Sequence, residues 1–95
     1  GWKWSLATDF NPNCRSLSIP FVGSLAVHRM RIPPIAALIA VTSNAASTLN
    51  VENGVGKLIE GGVADLNILR TKSADGWCQM PGDNSVKISF HHSQL

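Results

Sequence analysis

The sequence predicts an α+β fold: a small antiparallel sheet of three to five strands with two helices packed on one face, sandwich-like in outline. Three observations carry that expectation. Val86, Ile88 and Phe90 alternate with Lys87 and Ser89, as in a strand with one buried face. Ile35, Leu38, Ile39, Thr42, Ala45, Ala46 and Leu49 repeat at the three-and-four spacing of a helix. Trp2, Trp4 and Leu6 alternate with Lys3, Ser5 and Ala7, again with a period of two. The 95 residues suit one domain, and no repeat, linker or low-complexity tract divides 1–95.

Along the chain, the tryptophan strand closes at Asn11-Pro12-Asn13, where proline lacks a donor and asparagine tolerates turn geometry. Residues 20–32 read as a short helix opened by Pro20, with Val22, Leu25, Ala26 and Met30 on one face. An extended strand through Leu25 and Val27 is the alternative. Pro33-Pro34 is a boundary, because a residue before proline is pushed out of the helical region. The next helix runs from Pro34 to about Leu49; its small, uncharged residues predict burial and close approach to a neighbour.

Asn50 could cap a further helix carrying Val51, Val55, Leu58 and Ile59, but Gly54, Gly56, Gly61 and Gly62 oppose it. Its glycine pair favours a stop there and a strand at 64–71. The C-terminal stretch reads as a hairpin, residues 76–90, turning at Pro81-Gly82-Asp83-Asn84. A hairpin is marginal alone, so the strand at 64–71 and the tryptophan strand are its expected partners.

Composition narrows the functional classes. Charged residues make up 15% of the chain, and ten Ser, seven Asn and four Thr supply much of the polarity. A net charge of +2 is too small for a dedicated nucleic-acid binder, so no nucleic-acid partner is expected. Ile35–Val41 is the most apolar run, and Thr42-Ser43-Asn44 ends it far short of a bilayer span. The start at Gly1 rather than Met suggests a mature product, a truncated chain or a fragment, and the favoured expectation is a product cut from a secreted precursor, its signal peptide gone. Cys14 and Cys78 could close a disulfide, with two free buried thiols as the alternative.

No group of residues forms a catalytic or metal signature, so the expectation is a non-catalytic protein without cofactor or metal. His28, His91 and His92 with a lysine could serve a nuclease-like reaction. If His91 and His92 extend the last strand they point to opposite faces, so at most one joins His28. A zinc site from Cys14, Cys78 and a C-terminal histidine lacks any Cys-x-x-Cys pair. The carboxylates Asp9, Glu52, Glu60, Asp65, Asp75 and Asp83 are scattered singly. Asn53-Gly54-Val55-Gly56-Lys57 has the look of a phosphate loop without its remaining spacing.

Lys3, His28, Arg29 and Arg31 beside Trp2 and Trp4 would, if exposed together, suit a membrane–water interface or a polyanionic surface. The plainer reading is a core tryptophan pair with a solvated charge run. These features rank a secreted toxin or antimicrobial protein, acting without catalysis at a target-cell surface or membrane, first. A secreted effector or binding module for a protein receptor ranks second. In a variant of it, the protein is one chain of a processed pair whose second chain comes from the same precursor.

Overall fold

The computed structural model describes residues 2–50, 54–80 and 82–91. In chain order these form α1 (Ile19–Met30), α2 (Pro34–Val41), a short α3 (Ser43–Ser47), β1 (Leu66–Leu69), a 3-10 turn (Ala74–Cys78) and β2 (Val86–Phe90). The fold is a mixed α+β arrangement of two main helices and a two-stranded antiparallel sheet.

α1 is set by its ends. The Ser18 hydroxyl accepts a hydrogen bond from the Phe21 N–H at 3.3 Å, satisfying one of the first turn's orphan donors. Pro20 sits in the first turn, where its missing N–H costs nothing. His28 and Arg29 face the negative end of the helix dipole, and Arg31 terminates the helix at φ +57°. The helical reading of 20–32 therefore holds as far as Met30, with Arg31 and Ile32 beyond the helix, and the strand alternative falls.

The helix expected over 34–49 is broken. α2 ends at Val41, and Thr42 takes φ −115° and ψ −92°. The Thr42 hydroxyl donates to the Leu38 carbonyl at 2.7 Å. Ser47 and Thr48 hydroxyls likewise donate to the Asn44 and Ala45 carbonyls, each at 2.7 Å. Such local bonds compete with a continuous helical ladder. The helix considered after Asn50 begins in residues outside those described, and 54–62 contains only turns and bends. Gly54, Gly56 and Gly61 there have φ between +73° and +79°, which L side chains rarely adopt.

The sheet differs from expectation in its pairing. β2 does not pair with residues 76–80; it pairs with β1, in the register Leu66↔Phe90, Asn67↔Ser89, Ile68↔Ile88 and Leu69↔Val86, with an irregularity after Ile68. Residues 74–78 wind into the 3-10 turn, which buries Gly76, Trp77 and Cys78. The predicted hairpin is thus half right: its second strand stands, and its first is a compact turn. Residues 2–7 pair with no strand among those described. They lie along α2 and α3, where the Leu6 N–H donates to the Ala40 carbonyl at 3.2 Å and Asn44 Nδ2 donates to the Trp4 carbonyl at 2.8 Å.

The core lies between α1, α2 and the 3-10 turn, not between helices and a sheet face. Ala26, Ala37, Trp77 and Cys78 form its centre, with Leu6, Ile19, Val27, Ile32, Leu38, Val41 and Leu69 around them. Trp77 is the one large side chain in that centre, and its Nε1–H donates to the Pro34 carbonyl at 3.2 Å. Small residues on α1 and α2 make room for its ring, the close approach that the alanine-rich sequence predicts.

Candidate functional site

The most organised polar feature is the loop from Asp9 to Arg15. Asn11 builds it. Its backbone N–H and C=O exchange hydrogen bonds with Cys14, both at 3.0 Å. Its side-chain oxygen accepts from the Asn13 and Cys14 N–H groups at 2.9 and 3.1 Å. Its Nδ2 donates to the Asp9 carbonyl at 2.6 Å. An asparagine side chain standing in for backbone in this way explains the tight Asn11-Pro12-Asn13 turn.

Asp9 sits at the mouth of that loop with φ +52°. The left-handed region costs a non-glycine residue roughly 1–2 kcal/mol, less for aspartate, and such residues cluster at functional sites. Its carboxylate is exposed. Phe10, Asn11, Pro12 and Arg15 line an adjoining open concavity. The loop therefore carries a carboxylate and a guanidinium close in sequence, with the Arg15 side chain lining the open recess. In the sequence Asp9 is one of several scattered carboxylates, and the Asn11-Pro12-Asn13 turn just after it is the signal that marks this loop.

The basic and aromatic patch expected from Trp2, Lys3, Trp4, His28, Arg29 and Arg31 is divided. All six side chains are exposed. Trp4 lies by Asn44, beyond the C-terminal end of α2, whereas Arg31 precedes its N-terminus. Eight residues of helix, about 12 Å, lie between the two groups. Lys3 instead shares a concavity with Lys57, Ser43 and Ser47 on α3 and the following turns.

No disulfide joins Cys14 and Cys78. Cys14 is an exposed free thiol in the Asn11 loop, and Cys78 is a buried free thiol beneath the helices. Burial pushes the Cys78 thiol above its usual range, and the nearby Asp75 carboxylate adds to the shift. His28 is exposed on the last turn of α1 and His91 follows β2, while His92 lies outside the described residues. Among the described residues no three His, Cys, Asp or Glu side chains gather as a metal site, and no helix is long and apolar enough to cross a membrane.

No family model matches the chain. Its relatives are nonetheless consistent. It is 46% identical over 69 residues to the imidazolonepropionase of Haloarcula marismortui, covering 73% of this chain and 16% of that protein. It is 40% identical over 84 residues to that of Halobacterium salinarum, covering 87% and 20%. With the imidazolonepropionase of Streptococcus pyogenes serotype M3 it shares 38% identity over 96 residues, covering the whole chain and 23% of the relative. The chain therefore spans about a fifth of the length of these relatives.

This similarity overturns the reading of a secreted, non-catalytic toxin or antimicrobial protein, and with it the effector alternative. The expected partners (a target-cell surface, a membrane, a receptor or a second chain from a processed precursor) fall for the same reason. Low charge and a glycine start, which suggested secretion, are equally compatible with a stretch of enzyme sequence. The chain is similar, over its whole length, to part of imidazolonepropionase.

Proposed function

We propose that this chain is a segment of an imidazolonepropionase-type hydrolase, an enzyme of histidine breakdown, and that it contributes the Asp9–Arg15 loop to the active site. The observation that carries the reading is the 38–46% identity to imidazolonepropionases of two archaea and a bacterium. Random similarity would not return one enzyme name across such separate lineages.

The chemistry suits the loop. Opening a cyclic amide with water forms a C–O bond and breaks a C–N bond. A base must take a proton from the water, and a donor must return one to the leaving nitrogen. Asp9, whose backbone is held by the Asn11 Nδ2 bond to its carbonyl and whose carboxylate is exposed, is the group this reading assigns to that proton. Arg15, on the same loop, offers the planar pair of donors that suits the carboxylate of a propionate side chain. The remaining four-fifths of such an enzyme would supply the other groups.

The test is a chimaera in which this chain replaces the matched 96 residues of the Streptococcus pyogenes relative. Turnover of imidazolonepropionate within about tenfold of the parent supports the reading, a cost of about 1.4 kcal/mol in the barrier. A folded chimaera without turnover contradicts it.

A further inference from the structure

We infer that the concavity between Lys3, α3 and the Gly54–Lys57 turn binds the phosphate group of a small soluble molecule. The inference stands apart from the functional reading, since it uses neither Asp9 nor Arg15.

The recess comes first. It encloses about 200 Å³ and is lined by Lys3, Lys57, Ser43 and Ser47 together with Gly54 and Val55. No carboxylate lines it, and neither lysine makes an ion pair among the described residues. Two like charges on one recess repel each other, and an anion between them relieves that repulsion.

The fold holds the donors in place. The Asn44 Nδ2 bond to the Trp4 carbonyl, 2.8 Å long, ties the residue after Lys3 to α3. Ser43 and Ser47 stand four residues apart on α3 and so share a face. The Ser47 hydroxyl is committed to the Asn44 carbonyl. Half-buried Ser43 makes no side-chain hydrogen bond among the described residues and keeps its proton for a ligand. Lys57 is set by a closed turn, in which its N–H donates to the Gly54 carbonyl at 3.0 Å. Gly54 and Gly56 take φ of +73° and +77° on either side of Val55. Turn backbone of this kind gathers N–H groups around an anion. Gly56 also lets the turn close on α3, because a methyl there would meet the Thr42 carbonyl and the Ala46 side chain.

The ligand class follows from size and charge. The recess is smaller than the roughly 300–1,000 Å³ of sites that enclose a drug-sized molecule. What fits is one dianionic phosphate group, with the rest of its bearer left in solvent. The Gly54-Val55-Gly56-Lys57 run thus keeps the glycine turn and the lysine of a phosphate loop without that loop's flanking strand and helix, since 54–62 contains only turns and bends.

A titration of the full chain with inorganic phosphate, followed by amide NMR at constant ionic strength, tests this. Saturable shifts confined to Lys3, Ser43 and 54–57 are expected, with a Kd on the order of 1 mM, as two charge-assisted contacts supply. Lys3→Gln/Lys57→Gln, which alters only exposed side chains, should weaken binding at least about tenfold. Lys57→Arg keeps the charge and should stay within about threefold of the wild type. Phosphate should also raise the melting temperature of the wild type and leave that of the double variant unmoved.

Shifts that do not saturate, or that spread equally to His28, Arg29 and Arg31, overturn the inference, because the effect is then general screening of a basic surface. Wild-type affinity in the double variant overturns it too. So does a response to phosphatidic acid vesicles with none to free phosphate, since the recess is then a membrane contact. An inactive chimaera leaves the site standing, and an empty site leaves the functional reading standing.

Discussion

The ring of Trp77 rests directly on the α-carbon of Gly23. A methyl group at Gly23 would lie 2.6 Å from Cζ3 and 2.9 Å from Cζ2 of the indole, closer than carbon atoms pack. Gly23 is buried mid-helix in α1, where alanine would ordinarily gain about 1 kcal/mol. Here the contact decides the sign. Overpacking costs typically 1–3 kcal/mol, so Gly23→Ala should lower the urea midpoint. In a Trp77→Ala background the clash is gone and the same substitution should raise it, a reversal that a double-mutant cycle reads directly.

Trp77 should itself be the most costly single truncation in the chain. Trp77→Ala removes the largest core side chain and should destabilise by about 3–5 kcal/mol. Trp77→Phe keeps most of the packing but loses the donor to the Pro34 carbonyl, a loss of about 1 kcal/mol in thermal or urea unfolding.

The turns after α3 offer a paired test. Gly56 and Gly61 have φ of +77° and +79°. Alanine at either pays roughly 1–2 kcal/mol for left-handed backbone. At Gly56 the new methyl would also come within 2.7 Å of the Thr42 carbonyl oxygen, whereas at Gly61 no atom of the described residues lies within 4 Å of it. Gly56→Ala should therefore be the more damaging of the two when their melting temperatures are compared.

The cysteines should separate by reactivity and by pH. Cys14 should react with a thiol reagent in the native state and Cys78 only on unfolding, with no linked pair under non-reducing mass spectrometry. Because burial raises the Cys78 pKa, the folded state holds that proton more tightly than the unfolded state. Its contribution is complete below the ordinary thiol range and declines as pH rises through and above it. Between about pH 8 and about pH 10 the wild type should lose more stability than Cys78→Ala.

Much of the backbone plan was legible. Ser18, Pro20 and the Pro33-Pro34 pair mark the ends of α1 and α2, because capping and proline geometry act locally. Alternation located β2 and most of β1. What local pattern could not show was pairing. Trp77 and Cys78 near a turn resemble a strand, yet burying the indole against Gly23 favours a tight 3-10 turn. Thr42 looked like one more helical position, until its hydroxyl bond to Leu38 is counted. The tryptophan segment has the pattern of a strand, with no strand beside it among the described residues. Asp9 is no different in type from the other scattered carboxylates and its backbone angle does not show in sequence, so only the Asn11-Pro12-Asn13 turn after it marks the loop. Composition misled on function, because sparse charge and two cysteines occur in many protein classes.

Within an active chimaera, Asp9→Asn should lower kcat at least about 100-fold, the usual worth of a positioned proton-transfer group. Arg15→Gln should act mainly on KM, as loss of a substrate-carboxylate contact does. Asp83→Asn, on the exposed turn before β2, serves as the control and should change neither.

The most direct test is the rate at which the chimaera consumes imidazolonepropionate, compared with the Streptococcus pyogenes relative lacking the same 96 residues. Restored consumption by this chain, abolished by Asp9→Asn, is the predicted result. A chimaera that folds as the parent does yet consumes none would contradict the assignment of this chain to that enzyme.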